Sequence, residues 1–525
     1  MSVSYYKMAQ EHVWKGGFYS ALCVYAFSCA QSSGTLLTWS AIVGVLMAIC
    51  FFQEITLLIQ RRHLPPGRYG LPLMGEVPWF VIGNKMNFGA FTAERKKKWG
   101  SIFHVSIPFT ATIVSEQDDL HWLFQMERKG FVEAAWPSSV AAILGPGAIA
   151  NVFGEQHRRI RSFFQPWFSP AFVENYLVVV DVTVQEQLNE WSALSSSSTL
   201  SSDVFKLFAL RLFFAASFGK VDEQMLITFH DNFKTWLGGF ISLTGTVRVP
   251  GSPFDQAMAA RDRILTTIDQ VIDQFEKENP EGSDRAQNTV IGRCVYASGE
   301  EGLCFDRSQL KDILLNLIFA GHDTTTGAMG SVIYHLAHHA EARAALEEEI
   351  NNFFSKSTSL DMEKLKSAPI LNAIIWETLR VDPPVLAGPR STRQDLVYKN
   401  FRFPKDSSIF YNIYLAATDP NEYKYRPLEF DFRRFLPQDH KLYDPTIWNH
   451  KEARDIVDPA QGRANYPIFG GGSRSCLGKH FALLELRVFL VRLFQNYELS
   501  VVKETKVWLP ICTWNVEFQL TKKTT

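Results

Sequence analysis

Apolar residues recur at spacings of three and four along most of the chain, over Phe172 to Trp191, Asp255 to Glu278, Ser308 to His339, Glu341 to Phe354 and Leu477 to Tyr497. That spacing places them on one side of a helix, or all round a buried one. Strand-like runs are short: Ile102 to Ile107, Thr110 to Val114, Leu396 to Phe403 and Ile409 to Tyr414. Gly, Ser and Asp clusters at Ser195 to Ser202 and Glu281 to Asn288 read as surface loops. No internal repeat is present. The pattern predicts a mainly α protein, a large helical body with a small β-rich subregion, forming one continuous domain over residues 81–525.

The N-terminus obeys a different rule. Leu36 to Phe52 runs 17 residues without a charge, the lower edge of membrane-spanning length. Ile55, Leu57, Leu58 and Ile59 extend it, and Arg61 and Arg62 supply the positive charge expected on a cytoplasmic flank. The expectation is an N-terminal transmembrane helix within a membrane anchor at residues 1–60, with the remainder cytoplasmic. Phe18 to Ala30 reads as a second pass, an interfacial helix or part of a hairpin. A cleaved signal is disfavoured, because the apolar segment begins late and no A-x-A-like site precedes the Arg pair. Residues 61–80 form a hinge: four prolines and three glycines between Leu64 and Pro78 resist helix and make a semi-rigid connector.

Composition narrows the picture by exclusion. With 46% hydrophobic and 13% aromatic residues the chain folds rather than staying disordered. A balance of 53 basic against 54 acidic residues gives no global attraction to nucleic acid. Seven cysteines without a C-x-x-C pair fit neither a disulfide framework nor a structural zinc site.

One of those cysteines sits in FGGGSRSCLG, Phe469 to Gly478, just before an apolar helix. A phosphate cradle of the form G-x-x-x-x-G-K-[ST] fails on register, since its first glycine falls on Ser473 and its Ser/Thr on His480. A phosphatase-type cysteine fails too, because Ala482 stands where the cradling arginine belongs. A metal ligand survives: a thiolate at a helix N-terminus is stabilised by unpaired N–H groups and the helix dipole. Flanking glycines let the backbone approach a flat cofactor, and Phe469 can screen the sulfur.

Phe469, Gly472, Arg474, Cys476 and Gly478 match every fixed position of F-x-x-G-x-R-x-C-x-G, and through them the chain resembles the cytochrome P-450 family. The resemblance implies the P-450 fold, a heme b cofactor with Cys476 as axial thiolate on the iron, and Arg474 on a heme propionate. Glu377 and Arg380 in IIWETLR share a helix face and are similar to the family's E-x-x-R, completed by Arg434 from FDFRRF, where Phe432 replaces the usual proline. Ala320, Gly321, Asp323, Thr324 and Thr325 resemble A-G-x-D-T-T. By that match Ala320 lies against the heme, and Asp323 and Thr324 form an acid/alcohol pair that relays protons to bound dioxygen. His157 and Arg161 match W-x-x-x-R with histidine for tryptophan. Like Arg390 after Pro383-Pro384, they are implied propionate partners. These motifs fall in family order over about residues 64 to 520.

By resemblance the protein is a monooxygenase in the endoplasmic reticulum membrane, using O2 and electrons from an NADPH-cytochrome reductase. Arg158, Arg159, Lys479 and His480 suggest a basic docking face for that flavoprotein. Phe319, Val140 to Leu144, Val385 to Ala387 and Leu509 to Trp514 align with substrate regions and are mostly apolar. WPSSVAAILGPGAIANVFGEQHRR and LPPGRYGLPLMGE are most similar to the branch with retinoic-acid, abscisic-acid and brassinosteroid hydroxylases, which implies an isoprenoid substrate. Two other classes share the cysteine loop: a heme-thiolate isomerase or dehydratase of lipid hydroperoxides, and a non-catalytic heme protein. The Asp323-Thr324 pair disfavours both. His335, His338 and His339 share a helix face without a carboxylate or cysteine motif and read as surface residues. Two family positions differ: Ala417-Thr418-Asp419-Pro420 lacks a His/Arg before Asp-Pro, and Asp406 replaces a frequent glycine.

Overall fold

The computed structural model describes residues 64–523 except 69, 71–74, 108–109, 196–197, 220–221, 242–245, 297–304, 355–358, 448–466 and 510. The expected anchor at residues 1–60 lies outside the described residues, as do 61–63 of the hinge. Among the described residues no helix is long and apolar enough to cross a membrane. The described residues hold ten strands, in chain order: β1 Ile102–Ser106, β2 Thr110–Val114, β3 Val132–Ala134, β4 Leu200–Ser201, β5 Ala387–Thr392, β6 Leu396–Tyr398, β7 Phe401–Phe403, β8 Ser408–Asn412, β9 Tyr497–Val507 and β10 Thr513–Lys522. Two compact units account for the chain, Met1–Ala135 with Pro389–Asn412, and Trp136–Gly388 with Ile413–Thr525.

The first unit is organised by a five-stranded sheet in the order β1-β2-β8-β5-β3. β1 and β2 pair antiparallel with Ile102 opposite Val114, whereas β2 and β8 run parallel. All of β1 is buried, so its run reads as continuous rather than alternating. The single strand expected over Leu396 to Phe403 is instead the hairpin β6–β7. Its turn residues Lys399 and Asn400 both take positive φ, 47° and 66°, the combination a tight two-residue turn requires. The run expected to continue to Tyr414 ends at Asn412, where Ile413–Ala417 turns helical. Asp406, at the family's glycine position, also takes positive φ, 64°.

The second unit is helical. Its long helix Arg307–His338 has 32 residues, about 48 Å at about 1.5 Å each, and starts where the Asp306 carboxylate accepts the Gln309 N–H at 2.8 Å. It packs against the helices Asp203–Ser217, Pro253–Glu278, Pro369–Val381 and Lys479–Asn496 and against β10. Gly330 makes the last contact possible: a Cβ there would stand 2.4 Å from the Trp514 carbonyl oxygen. Helix Lys479–Asn496 is buried along most of its length, from Phe481 to Gln495, as its all-round apolar sequence requires. β4, β10 and β9 form a small antiparallel sheet.

Two expectations give way here. The segment read as a loop over Glu281 to Asn288 contains the helix Asp284–Asn288, because Ser283 caps it by accepting the Ala286 N–H at 3.3 Å. His335 is not a surface residue but buried, with Nε2 2.8 Å from Asp382 Oδ2. The carboxylate at the end of helix Pro369–Val381 draws it inward.

Candidate active site

The loop that carries Cys476 is shaped by its glycines. Gly470 and Gly472 take φ of 67° and 69°, a region closed to most L-residues, and this folds the loop back so that the Cys476 N–H reaches the Phe469 carbonyl at 2.8 Å. Cys476 is exposed, yet burial pushes its thiol pKa up. A side chain both reachable and enclosed borders an internal space. Opposing the burial, backbone N–H groups of Gly478 and Lys479 hydrogen-bond the sulfur and the Arg161 and Lys479 charges favour the thiolate. These are the orphan donors of the helix N-terminus expected from the sequence. Phe469 packs edge-to-face on Trp376 at 6.1 Å, with Lys479 Nζ over both rings at 5.7 and 5.9 Å.

The long helix shows a matching opening. Its residues from Ile313 to Ile318 and from Thr325 to Ile333 are buried, but Ala320 is exposed and Gly321 and Thr324 are half-buried. Ala320 and Thr324, one turn apart, therefore face an open space in mid-helix. Thr324 Oγ1 donates to the Ala320 carbonyl at 2.6 Å, the back-bond anticipated for a mid-helix threonine. Asp323 points elsewhere, buried, with Oδ1 2.9 Å from His322 Nδ1. Thr325 ties this helix to the one after Cys476 by donating to Glu485 Oε2 at 3.1 Å.

Glu377, Arg380 and Arg434 do come together. Arg380 clamps Glu377 through Nε and Nη2, both at 2.7 Å, and Arg434 Nε reaches it at 3.2 Å. All three side chains have no exposed surface. The solvated-bridge alternative for this helix pair is excluded, and Phe432 in place of proline does not prevent the triad.

The basic residues expected at a cofactor are placed as follows. Arg161 donates to Ser475 Oγ at 3.1 Å, beside the cysteine. His157, on the same helix Gly154–Phe164, is buried, while Arg158 and Arg159 are exposed. Arg474 Nη1 donates to the Ile149 carbonyl at 2.8 Å, and its Nη2 to that of Val152. Arg390 belongs to the first unit, where Nε donates to Glu127 Oε2 at 2.8 Å and Nη2 has no hydrogen-bond partner among the described residues. Asp312 and Asn316, not picked out from the sequence, hold the same 145–152 segment by accepting the N–H groups of Gly147 and Ala150 at 2.9 and 3.0 Å. A signal for them exists: Asp312, Asn316, Ala320 and Thr324 form one stripe of small or polar residues at i, i+4 spacing on an apolar helix.

The residues present fit a flat, anionic iron porphyrin. An enclosed but reachable thiol faces helix N–H groups, a Cβ on neighbouring Gly478 would meet nothing within 4 Å, and Arg161 flanks the loop. Site and fold together define a heme-thiolate protein. The sequence matches the Cytochrome P450 family profile over residues 65–525, and the chain belongs to that family. A Synechocystis sp. protein that carries the name cytochrome P450 120 is 31% identical over 444 residues, 84% of this chain and 91% of that one. Cytochrome P450 26B1 of Xenopus tropicalis is 29% identical, covering 83% of this chain and 82% of its own length. The solved structure described as retinoic acid bound cyanobacterial CYP120A1 superposes with a TM-score of 0.74 at 27% identity, covering 88% of this chain and 99% of that one. The protein is thus a cytochrome P450 monooxygenase with a heme-thiolate iron cofactor.

Proposed function

We propose that this monooxygenase oxidises a lipophilic, isoprenoid-derived substrate of the retinoid, carotenoid-derived or sterol type, with electrons from an NADPH-cytochrome reductase. The retinoic-acid-bound relative, matched over most of both chains, is the observation that carries the substrate class. An apolar wall agrees with it: Phe319, beside the open face of the long helix, packs on Trp236 at 5.5 Å and on Phe240 at 5.0 Å. The overall change is RH + O2 + 2 e⁻ + 2 H⁺ giving ROH + H2O, so the protein must admit two protons and two electrons for each substrate.

When bound, the heme supplies oxygen activation and C–H oxidation. Cys476 would hold its iron, with the N–H groups of Gly478 and Lys479 favouring the thiolate against the effect of burial, and Phe469 would screen the sulfur. Arg161, His157, Arg474 and Arg390 would pair with its carboxylates, and Ala320 would offer it a side-chain-poor stretch of helix. Thr324 holds a hydroxyl at the open face and Asp323 stores the proton behind it. Apolar residues 36–52 followed by Arg61 and Arg62 support an anchor in the endoplasmic reticulum membrane, with the catalytic body, residues 81–525, cytoplasmic.

The test is a titration of the ferric protein with retinoic acid, a sterol and a long-chain fatty acid, followed by the heme Soret band. A saturable shift with the retinoid or sterol at micromolar concentration is expected. A shift with the fatty acid alone would overturn the substrate class.

A further inference from the structure

His322 and His230 each carry a buried ring nitrogen with no hydrogen-bond partner among the described residues, His322 Nε2 and His230 Nδ1. An unpaired buried polar atom costs about 1–3 kcal/mol, so two on neighbouring rings call for a cause. His322 is 1% exposed and uses its other nitrogen, Nδ1, on Asp323 Oδ1 at 2.9 Å. His230, on the helix Glu223–Leu237, lies with its ring centroid 6.1 Å from that of His322. Ring nitrogens sit about 1.2 Å from their centroid, which leaves at least about 3.7 Å between them: too far for a direct bond, so a link between the two rings takes a bridging water. Phe233 seals the flank of His322 edge-on at 4.8 Å.

The two ends of this pair differ. The inner end is the buried Asp323. The outer end, His230, is only half-buried; Asp231 on its own helix and the Asp203–Lys206 ion pair on the neighbouring helix act on its charge. Burial, and then repulsion from His322, lower the His230 pKa, with Lys206 adding to the fall and Asp231 and Asp203 opposing it. His230 is therefore neutral near pH 7, able to take a proton on one nitrogen and release one from the other.

We propose that His230, a bridging water and His322 form the proton entrance that recharges Asp323 from solvent. The inference rests on the reading of Asp323 as the proton store of the reaction. His230 takes a proton from solvent on Nε2 as it releases its Nδ1 proton to the water, the water passes a proton to His322 Nε2, and the Nδ1 proton of His322 moves to the Asp323 carboxylate; both rings regain their starting tautomers before the next proton. No electron moves, and each turnover draws two protons through the pair.

The test uses the heme-loaded full chain with His322→Gln, which keeps a donor for Asp323 but cannot exchange protons, His230→Gln, which acts from the half-buried side, and Asp323→Asn. Product formation should slow roughly tenfold in each, with a larger solvent deuterium isotope effect and more reducing equivalents lost as peroxide. An independent readout is 15N NMR of labelled histidines in the ferric resting protein, where His230→Gln should shift the titration and tautomer balance of His322. If Asp323→Asn raises the isotope effect but neither histidine variant does, the entrance is wrong while the proton-store reading stands. If Asp323→Asn leaves it unchanged, that reading itself fails. Histidine titrations that do not respond to one another also overturn the proposal.

Discussion

Replacing Glu377 by Gln keeps the side chain's shape and removes its charge from a place where its oxygens accept four hydrogen bonds: two from Arg380 at 2.7 Å, one from Arg434 at 3.2 Å and one from the Asp431 N–H at 2.9 Å. Two guanidinium groups with no exposed surface then lose their counter-charge. Removing one partner of a buried pair costs about 3–5 kcal/mol, against about 1 kcal/mol or less for an exposed bridge. Arg380 keeps its bonds to the carbonyls of Ala417, Pro427 and Glu429, which places the expected loss near the lower end, about 3 kcal/mol. Urea unfolding of the heme-loaded protein, followed in parallel by far-UV circular dichroism and heme absorbance, measures it. The variant's midpoint should fall with an unchanged slope. A loss below about 1 kcal/mol would show that these ions are solvated as surface bridges are, and the argument from burial would be wrong.

Three other outcomes follow from the site. Cys476→Ala should abolish the thiolate signature in the reduced, CO-bound spectrum while far-UV circular dichroism is kept; a retained signature would falsify the ligand assignment. Lys479→Glu should slow reduction by a flavoprotein reductase by roughly threefold to tenfold at low ionic strength, with the difference shrinking at high salt. Arg158→Glu should do less, because Arg158 already pairs with Glu155 at 2.6 Å, and equal rates for Lys479→Glu and wild type at low salt would remove the docking face. Burial raises the Glu485 pKa to about 8, with the Thr325 hydrogen bond opposing. Its folded pKa exceeds the ordinary carboxyl value of about 4.5, so the folded state holds the extra proton and stability falls by about 1.4 kcal/mol per pH unit between about 4.5 and 8. Glu485→Gln should flatten that slope and gain roughly 3 kcal/mol at pH 7, as read from urea midpoints across pH. An unchanged slope would show that Glu485 is ionised.

Regular features were legible wherever a repeating pattern met a single environment. Four of the five long helices were placed by apolar spacing to within two residues at each end, Ser252 and Asp306 capping two of them, whereas the run Phe172 to Trp191 is broken into the short helix Pro170–Val173, a tight turn at Glu174–Tyr176 and the helix Leu177–Ser195. Leu396 to Phe403 misled because its turn residues are Lys and Asn, not the glycine that usually advertises a tight turn. In the site, the cysteine loop and the Glu377–Arg380–Arg434 triad were readable because their chemistry forces residue identity at fixed spacing. His335, His322 and Glu485 were not, because their roles depend on partners 47, 1 and 160 residues away whose burial no local pattern encodes. His322 adjoins its partner, yet only packing under Phe233 separates it from an exposed helical histidine. The N-terminal apolar segment lies outside the described residues and rests on sequence alone.

The 145–152 segment has a consequence for the order in which the protein is made. Its fastenings to Asp312, Asn316 and Arg474 bridge 165, 166, 325 and 322 residues of chain. Synthesis at about 5–20 residues per second puts roughly 15–65 s between the appearance of Ile149 and that of Arg474. Throughout that interval the Ile149 and Val152 carbonyls lack their guanidinium donor, although the Gly147 and Ala150 N–H groups gain Asp312 and Asn316 about halfway through it. A nascent chain cut short anywhere before Arg474 lacks the final clasp, however completely its earlier helices have formed.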